Sequence, residues 1–156
     1  MIRTTPINHI VPSGTKAAVR GVLHEYVTQY ISLIVRHASK LATTCKRRTV
    51  QECDIQGAVH LIRGNLSAAS GEESVKYVVS KAVREEFKPL NVSPGAIKAL
   101  NDDVQIFVHR LKERLNTSIF TNPSDARRVS TDDVIAVLKQ SDGFTEYGTP
   151  AFVYRN

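Results

Sequence analysis

The chain has 156 residues, of which 42% are hydrophobic and 23% are charged, with two cysteines and no tryptophan. This composition excludes a disordered, collagen-like or disulfide-stapled chain, and the length suits one compact domain or two small ones. No apolar run is long enough for a transmembrane helix, and residues 1–15 lack the apolar core of a secretory signal. We therefore expect an intracellular protein whose cysteines are reduced thiols.

The formal net charge of +6 comes entirely from the first part of the chain. Residues 1–64 contain nine Lys or Arg and three acidic residues, whereas residues 65–156 contain twelve of each. A basic excess of this kind favours a polyanionic partner, and the alternative is a surface of solvated charges.

The first half predicts a long helix, a basic loop and a short helix. Apolar residues between Thr15 and Thr43 recur every three or four positions, which predicts one buried face on a helix of about 27 residues. After the basic stretch 45–48, the pattern from Thr49 to Glu52 predicts a capping box that opens a short helix ending near Gly64. The predicted buried positions are Val19, Val22, Leu23, Tyr26, Val27, Tyr30, Ile31, Ile34, Ala38, Leu41, Ile55, Ala58, Val59 and Ile62.

The second half predicts the same order of elements. A helix is expected over about residues 75–87, and Ser93-Pro94 predicts an N-cap followed by proline at the start of a second long helix. Asn122-Pro123 interrupts the pattern, and the residues from Ser130 to Asp133 have the spacing of another capping box before a last short helix. The predicted apolar positions are Ile97, Leu100, Val104, Phe107, Val108, Leu111, Leu115, Ile119, Val134, Val137 and Leu138.

The two halves agree in register as well as in order. Six apolar positions of the first long helix match positions of the second at an offset of 77, and Val50 matches Val129 at an offset of 79. Any two amphipathic helices can match in this way, so the shared order of long helix, basic loop, cap and short helix is the stronger indication of a repeat.

Four segments of the first half form a familiar pattern. They are Arg20-Gly21-Val22-Leu23, Ala38-Ser39-Lys40-Leu41, Lys46-Arg47-Arg48-Thr49-Val50 and Asp54-Ile55-Gln56-Gly57-Ala58-Val59, and together they resemble the second helix, second loop and third helix of core histones. In the second half the segments with this resemblance are Arg84-Glu85-Glu86-Phe87-Lys88, Ala99-Leu100, Arg128-Val129-Ser130 and Asp133-Val134-Ile135. The chain therefore resembles a histone doublet, two histone folds fused in tandem, as known from some large DNA viruses and archaea.

The resemblance implies an all-α fold in which two tandem histone folds form an intramolecular handshake pseudo-dimer. Their long helices would cross, and each first loop would lie beside the other fold's second loop. The implied domains are 1–66 for the first fold, 67–141 for the second, with a linker at 67–74, and 142–156 for an aromatic C-terminal segment. Arg47 and Asp54 have the spacing of the family's loop ion pair, but the residue seven places before Asp133 is Ala126.

The resemblance also implies DNA contacts through the paired loops and the N-termini of the long helices, near Thr15 and Ser93. One loop pair would contain Lys16, Arg20, Arg127, Arg128 and Ser130, and the other Lys46, Arg47, Arg48, Thr49, Lys88 and Lys98. Each cluster has its own alternative to DNA contact. For residues 46–48 it is a solvated loop with Arg47 in an internal ion pair with Asp54. For Arg127 and Arg128 it is local pairing with Asp125 and Asp132.

Other chemistries have no support in the sequence. There is no Gly-rich phosphate loop and no nucleophile elbow, so we expect no catalytic residues, no cofactor and no enzyme activity. Cys45 and Cys53 are eight residues apart, which is not a zinc motif, and no metal site is expected. Tyr26, Tyr30 and Phe107 are interpreted as core residues rather than stacking platforms. The C-terminal segment either docks on a neighbouring subunit or packs on its own chain.

The function expected from this resemblance is DNA packaging. The protein would bend duplex DNA without strong sequence specificity and assemble with another histone or histone doublet, as a homo- or hetero-oligomer, into nucleosome-like particles in chromatin of a nucleus or in a virion. Neither a membrane nor a small-molecule substrate is expected. The alternative is a histone-fold scaffold subunit that mediates protein–protein interactions in a transcription-factor complex, which would expose an apolar groove and interrupt the basic surface with acids.

Overall fold

The computed structural model describes residues 11–63, 91–140, 145–146 and 149–150. Within these ranges the chain is mainly helical, which confirms the prediction at that level. The predicted linker at 67–74 and the predicted helix at 75–87 lie outside the described residues, and so does most of the C-terminal segment. The α helices are α1 (Ala17–Thr44), α2 (Glu52–Arg63), α3 (Pro94–Ser118) and α4 (Thr131–Gln140), with a 3₁₀ helix at Pro123–Arg127.

Two helix starts are those the sequence predicts. Ser93 is the N-cap of α3, its Oγ accepts a hydrogen bond from the backbone N–H of Ala96 at 3.1 Å, and Pro94 follows in the first turn. Before α4, Ser130 Oγ accepts from the N–H of Asp133 at 3.3 Å, and Asp133 Oδ2 accepts from the N–H of Ser130 at 2.9 Å. This reciprocal pair is the predicted capping box.

The predicted capping box of Thr49 and Glu52 is wrong. Thr49 lies in a short strand, β1 (Thr49–Val50), and α2 begins only at Glu52. The N–H of Gln51 donates to Asp54 Oδ2 at 2.8 Å, so Asp54 rather than Glu52 returns the bond to the residue before the helix. The reason is tertiary, because the backbone of Thr49 is aligned for pairing with a distant strand.

That distant strand is β2 (Asn91–Val92), which runs parallel to β1 with Thr49 opposite Asn91. The N–H of Asn91 donates to the carbonyl of Arg48 at 2.9 Å, and the N–H of Ser93 donates to the carbonyl of Val50 at 3.0 Å. Because β1 follows α1 and β2 precedes α3, this pairing places the loop after the first long helix beside the start of the second.

The long helices α1 and α3 meet near their midpoints. The rings of Tyr30 and Phe107 stack with their centroids 3.8 Å apart and their planes 3° apart, and Tyr26 stacks on the same Phe107 ring at 5.4 Å. All three residues are buried, which confirms their interpretation as core residues. Away from this point α1 packs against α2 and α4, and α3 packs against α2.

The predicted apolar faces are buried or half-buried with one exception. Ile97 is 37% exposed, because the buried position in the first turn of α3 is Ala96. A second short sheet is the hairpin of β3 (Thr145–Glu146) and β4 (Thr149–Pro150), and β3 lies against α2. The described part of the C-terminal segment therefore packs on its own chain.

The end of α1 carries a conformation that favours glycine. Lys46 has φ 57°, its N–H donates to the carbonyl of Thr43 at 2.9 Å, and the N–H of Arg47 donates to the carbonyl of Ala42 at 3.0 Å. These are the two bonds of a Schellman motif, in which a residue with a Cβ is strained.

We expect Lys46→Gly to leave the free energy of unfolding unchanged or to raise it by about 0.5–1 kcal/mol, since glycine has no penalty in the left-handed region. Urea denaturation measures this directly. A loss of more than about 1 kcal/mol would contradict the expectation, because it would mean that the exposed Lys46 side chain contributes packing.

Candidate nucleic-acid interface

The loop between α1 and α2 divides its three cations between two roles. Lys46 and Arg48 are exposed, whereas Arg47 turns inward and is 28% exposed. The turn at Lys46 causes this division, since the left-handed residue reverses the chain immediately after the helix. Among the described residues, neither Lys46 nor Arg48 forms an ion pair.

Arg47 binds Asp54 with two hydrogen bonds. Arg47 Nη1 donates to Asp54 Oδ2 at 2.6 Å and Nη2 donates to Oδ1 at 2.7 Å, while Nη1 also donates to the carbonyl of Thr49 at 3.3 Å. The Arg47 guanidinium lowers the pKa of the Asp54 carboxyl, and the hydrogen bond to Asp54 raises the pKa of Arg47. Arg47 therefore fastens the loop to α2, which leaves Lys46 and Arg48 as the cations that a ligand can reach.

The strand pair brings this loop to the N-terminus of α3. Arg48 and Thr49 lie directly beside Asn91, two residues before the N-cap Ser93. Lys98 is exposed one turn into α3, so it adds a third accessible cation to the same end of the molecule. Thr49 is half-buried in β1. Lys88, predicted for this group, lies outside the described residues.

A second group of cations surrounds the start of α1. Lys16 is the exposed N-cap residue of α1, and no side chain caps that helix. Two hydrogen bonds from Ser130 lower the pKa of Asp133, and the positive charge of Lys16 lowers it further. Since α1 packs against α4 and Lys16 acts electrostatically on Asp133, Lys16 is on the side of the molecule where the loop with Arg127 and Arg128 leads into α4.

The arginines of this second loop are exposed, and Asp125 does not pair with them. The Asp125 carboxylate accepts instead from the N–H of Asn122 at 2.9 Å and from Thr121 Oγ1 at 3.2 Å. Within the described ranges, no ion pair joins Arg127 or Arg128 to Asp125 or Asp132. The two arginines are thus accessible cations.

Two residues predicted to contact DNA in this second group, Ser130 and Arg20, are not freely accessible. Ser130 Oγ is occupied by the capping box, since it also donates to Asp133 Oδ2 at 3.0 Å. Arg20 is half-buried, and its Nε is buried without a hydrogen-bond partner in the described part of the chain. Ala126, at the position that matches Arg47 in the first half, is buried, so Asp133 is held by Ser130 rather than by an arginine.

Sequence reasoning missed the position of Glu52. A Cβ atom placed on Gly95 would lie 3.7 Å from Glu52 Oε2 and 3.8 Å from Glu52 Cβ, so this carboxylate stands against the first turn of α3. Nothing local indicates this, because Glu52 and Gly95 belong to different halves of the chain. An acidic residue therefore lies at the end of α3 that also carries the exposed Lys98.

The described residues contain neither a cluster suited to a metal ion nor a membrane-spanning helix. No group of three or more His, Cys, Asp or Glu side chains there could hold a metal ion, and Cys45 and Cys53 are exposed free thiols. No helix within the described ranges is long and apolar enough to cross a bilayer.

Comparisons of this chain with family models, with curated proteins and with solved structures found no match.

Proposed function

We propose that the chain is a histone doublet, with one histone fold in residues 1–66, a second in 67–141 and a C-terminal segment in 142–156. The observation that carries this proposal is the parallel pairing of β1 with β2, which joins the loop after one long helix to the segment before the other. Two further features support it. The long helices meet near their midpoints at Tyr30 and Phe107, and α4 of the second half packs against α1 of the first.

The proposed activity is packaging of double-stranded DNA through phosphate and minor-groove contacts. Accessible cations occupy both ends of α1, with Lys46 and Arg48 at one end and Lys16 at the other. The 28 residues of α1 span about 42 Å, which is close to one helical turn of B-DNA at 34–36 Å. Two cationic loop pairs at that separation suit contacts where the minor groove faces the protein on successive turns.

Assembly and location follow from the same proposal. A doublet of this size covers only a short stretch of duplex, so we propose that it assembles with another histone or doublet into a nucleosome-like particle. Chromatin of a nucleus and the interior of a virion both supply the necessary DNA.

Binding to a random-sequence duplex of about 150 base pairs over a salt series tests the proposed activity. We expect the logarithm of affinity to fall steeply with the logarithm of salt concentration. The double variant Lys46→Gly/Arg48→Gln should reduce the magnitude of that slope by about two, since each lost phosphate contact removes about 0.9. This variant keeps Arg47, and therefore keeps the ion pair that holds the loop.

The matched control is Arg110→Gln/Lys139→Gln, which removes the same charge from exposed positions outside the loops. It should keep the wild-type slope within about half a unit, because the slope counts contacts rather than net charge. Equal slopes in the two double variants would contradict a role for the 46–48 loop. No binding by the wild-type protein at low salt would contradict DNA packaging.

One observation favours the alternative, a scaffold subunit that binds other proteins. A cleft of about 160 Å³ lies between α2 and α3. Its walls include the apolar residues Ile55, Val59 and Ile106 and the acidic residues Glu52, Asp102 and Asp103. Acids beside an apolar groove suit a protein partner, and under this alternative the wild-type protein would not bind DNA.

A further inference from the structure

From the position of Glu52 we infer that this residue limits the affinity for DNA of the first loop pair, by which we mean Lys46 and Arg48 together with Lys98 at the start of α3. This inference rests on the proposed packaging function. The Glu52 carboxylate stands beside the first turn of α3, with Oε2 3.7 Å from the position of a Cβ on Gly95. This is the end of α3 at which a DNA phosphate would meet Lys46, Arg48 and Lys98. A fixed negative charge there opposes the approach of a phosphate.

The charge of Glu52 is not neutralised by a close cation. Its one side-chain hydrogen bond in the described part of the chain is with Gln56, whose Nε2 donates to Glu52 Oε1 at 3.2 Å. That donor is neutral. Lys98 is the exposed cation one helical turn beyond Gly95 on α3, and no ion pair joins it to Glu52 among the described residues.

Glu52 also complements the positive end of α3. The first turn of α3 contains no acidic residue of its own, and the Glu52 carboxylate that lies against that turn comes from α2. A helix N-terminus attracts negative charge, and Glu52 supplies it from across the strand pair. A DNA phosphate at this end must therefore share that attraction with a carboxylate already in place. The first loop pair then releases DNA more readily than its cations Lys46, Arg48 and Lys98 would without Glu52.

The test is Glu52→Gln, which keeps the shape of the side chain and the ability to bond Gln56 while removing the charge. We expect its affinity for the random duplex at about 50 mM salt to rise roughly three- to tenfold. The ratio of variant to wild-type affinity should fall towards one as salt screens the repulsion. In the Lys46→Gly/Arg48→Gln background the gain should be less than about twofold, because fewer phosphates then dock at this loop pair.

The matched control is Glu25→Gln. Glu25 is an exposed glutamate on α1 that also accepts a hydrogen bond from the glutamine four residues later, from Gln29 Nε2 at 2.9 Å. Its removal changes net charge by the same amount but at a distance from the first loop pair, so the affinity should stay within about twofold of wild type. Cooperative thermal unfolding of each variant verifies that it is folded.

The outcomes separate the inference from the function on which it rests. If wild-type protein binds DNA but Glu52→Gln binds no more tightly than Glu25→Gln, the role of Glu52 is wrong and DNA packaging stands. A gain that persists undiminished at high salt would also overturn it, since repulsion between charges is screened. If neither wild type nor Glu52→Gln binds at low salt, both the proposed function and the inference fail.

Discussion

Phe107→Ala is expected to lower the free energy of unfolding by about 3–5 kcal/mol, the usual cost of emptying a buried phenylalanine site. Phe107 is 4% exposed, and its ring stacks on both Tyr26 and Tyr30 where α1 and α3 meet. The loss would consume a large share of the 5–15 kcal/mol that typically stabilises a folded protein. Because this contact joins the two halves of the chain, its loss should weaken them together.

Urea denaturation followed by circular dichroism measures this effect. The control is Ile97→Ala on the same helix, which should cost less than about 1 kcal/mol because Ile97 is already 37% exposed. A loss below about 1.5 kcal/mol for Phe107→Ala would show that the crossing of α1 and α3 is not a major source of stability. Two separate unfolding transitions in the variant would show that the halves fold independently.

Asp54→Ala is expected to lower the free energy of unfolding by about 2 kcal/mol. The Asp54 side chain is 3% exposed and accepts hydrogen bonds from Arg47 Nη1 and Nη2 and from the N–H of Gln51. Removing it leaves the start of α2 without its side-chain acceptor and leaves the Arg47 guanidinium without its carboxylate. Leu61→Ala, at a position on the same helix that is 63% exposed, is a control that should change little.

The same pair predicts how stability depends on pH. The pKa of Asp54 is lowered in the folded protein, chiefly by the hydrogen bond from Arg47. The pair therefore stabilises the fold above the unfolded-state pKa of about 3.9, and this contribution is lost as pH falls through the lower folded-state pKa. The advantage of wild type over Asp54→Asn, measured by urea unfolding, should be constant near pH 7 and should shrink below about pH 4. An advantage that does not shrink in acid would contradict the role of the charged carboxylate.

The acids Glu52 and Asp54 are close in sequence but have different roles, and a tertiary contact decides which acid has which role. Both lie in the first turn of α2, and the sequence assigned the capping role to Glu52 on the spacing from Thr49. The pairing of Thr49 with Asn91 moves Thr49 out of capping position, so Asp54 takes the role and Glu52 extends towards Gly95 instead. A capping pattern reports only local geometry, and it fails where a distant strand competes for the same backbone.

The buried hydrogen bond between Tyr30 and Asp103 was equally invisible in the sequence. Asp102 and Asp103 are neighbours on α3, and Asp102 is exposed, yet Asp103 is 1% exposed and accepts a hydrogen bond from Tyr30 Oη at 2.5 Å. The helical period distinguishes the two faces of α3 only roughly. Which acid is buried depends on where α1 crosses, and the position of that crossing is a property of both helices.

The helices of the described residues, most of their buried positions and the caps at Ser93 and Ser130 follow from the local sequence. These features depend on the 3.6-residue period and on side chains within three or four residues of the backbone that they bond. The accessibility of each cation, the role of Asp54 as the cap of α2 and the position of Glu52 against α3 follow only from the folded chain. Those outcomes depend on contacts such as Thr49 with Asn91 and Glu52 with Gly95, between residues far apart in the chain, and no local pattern encodes such contacts.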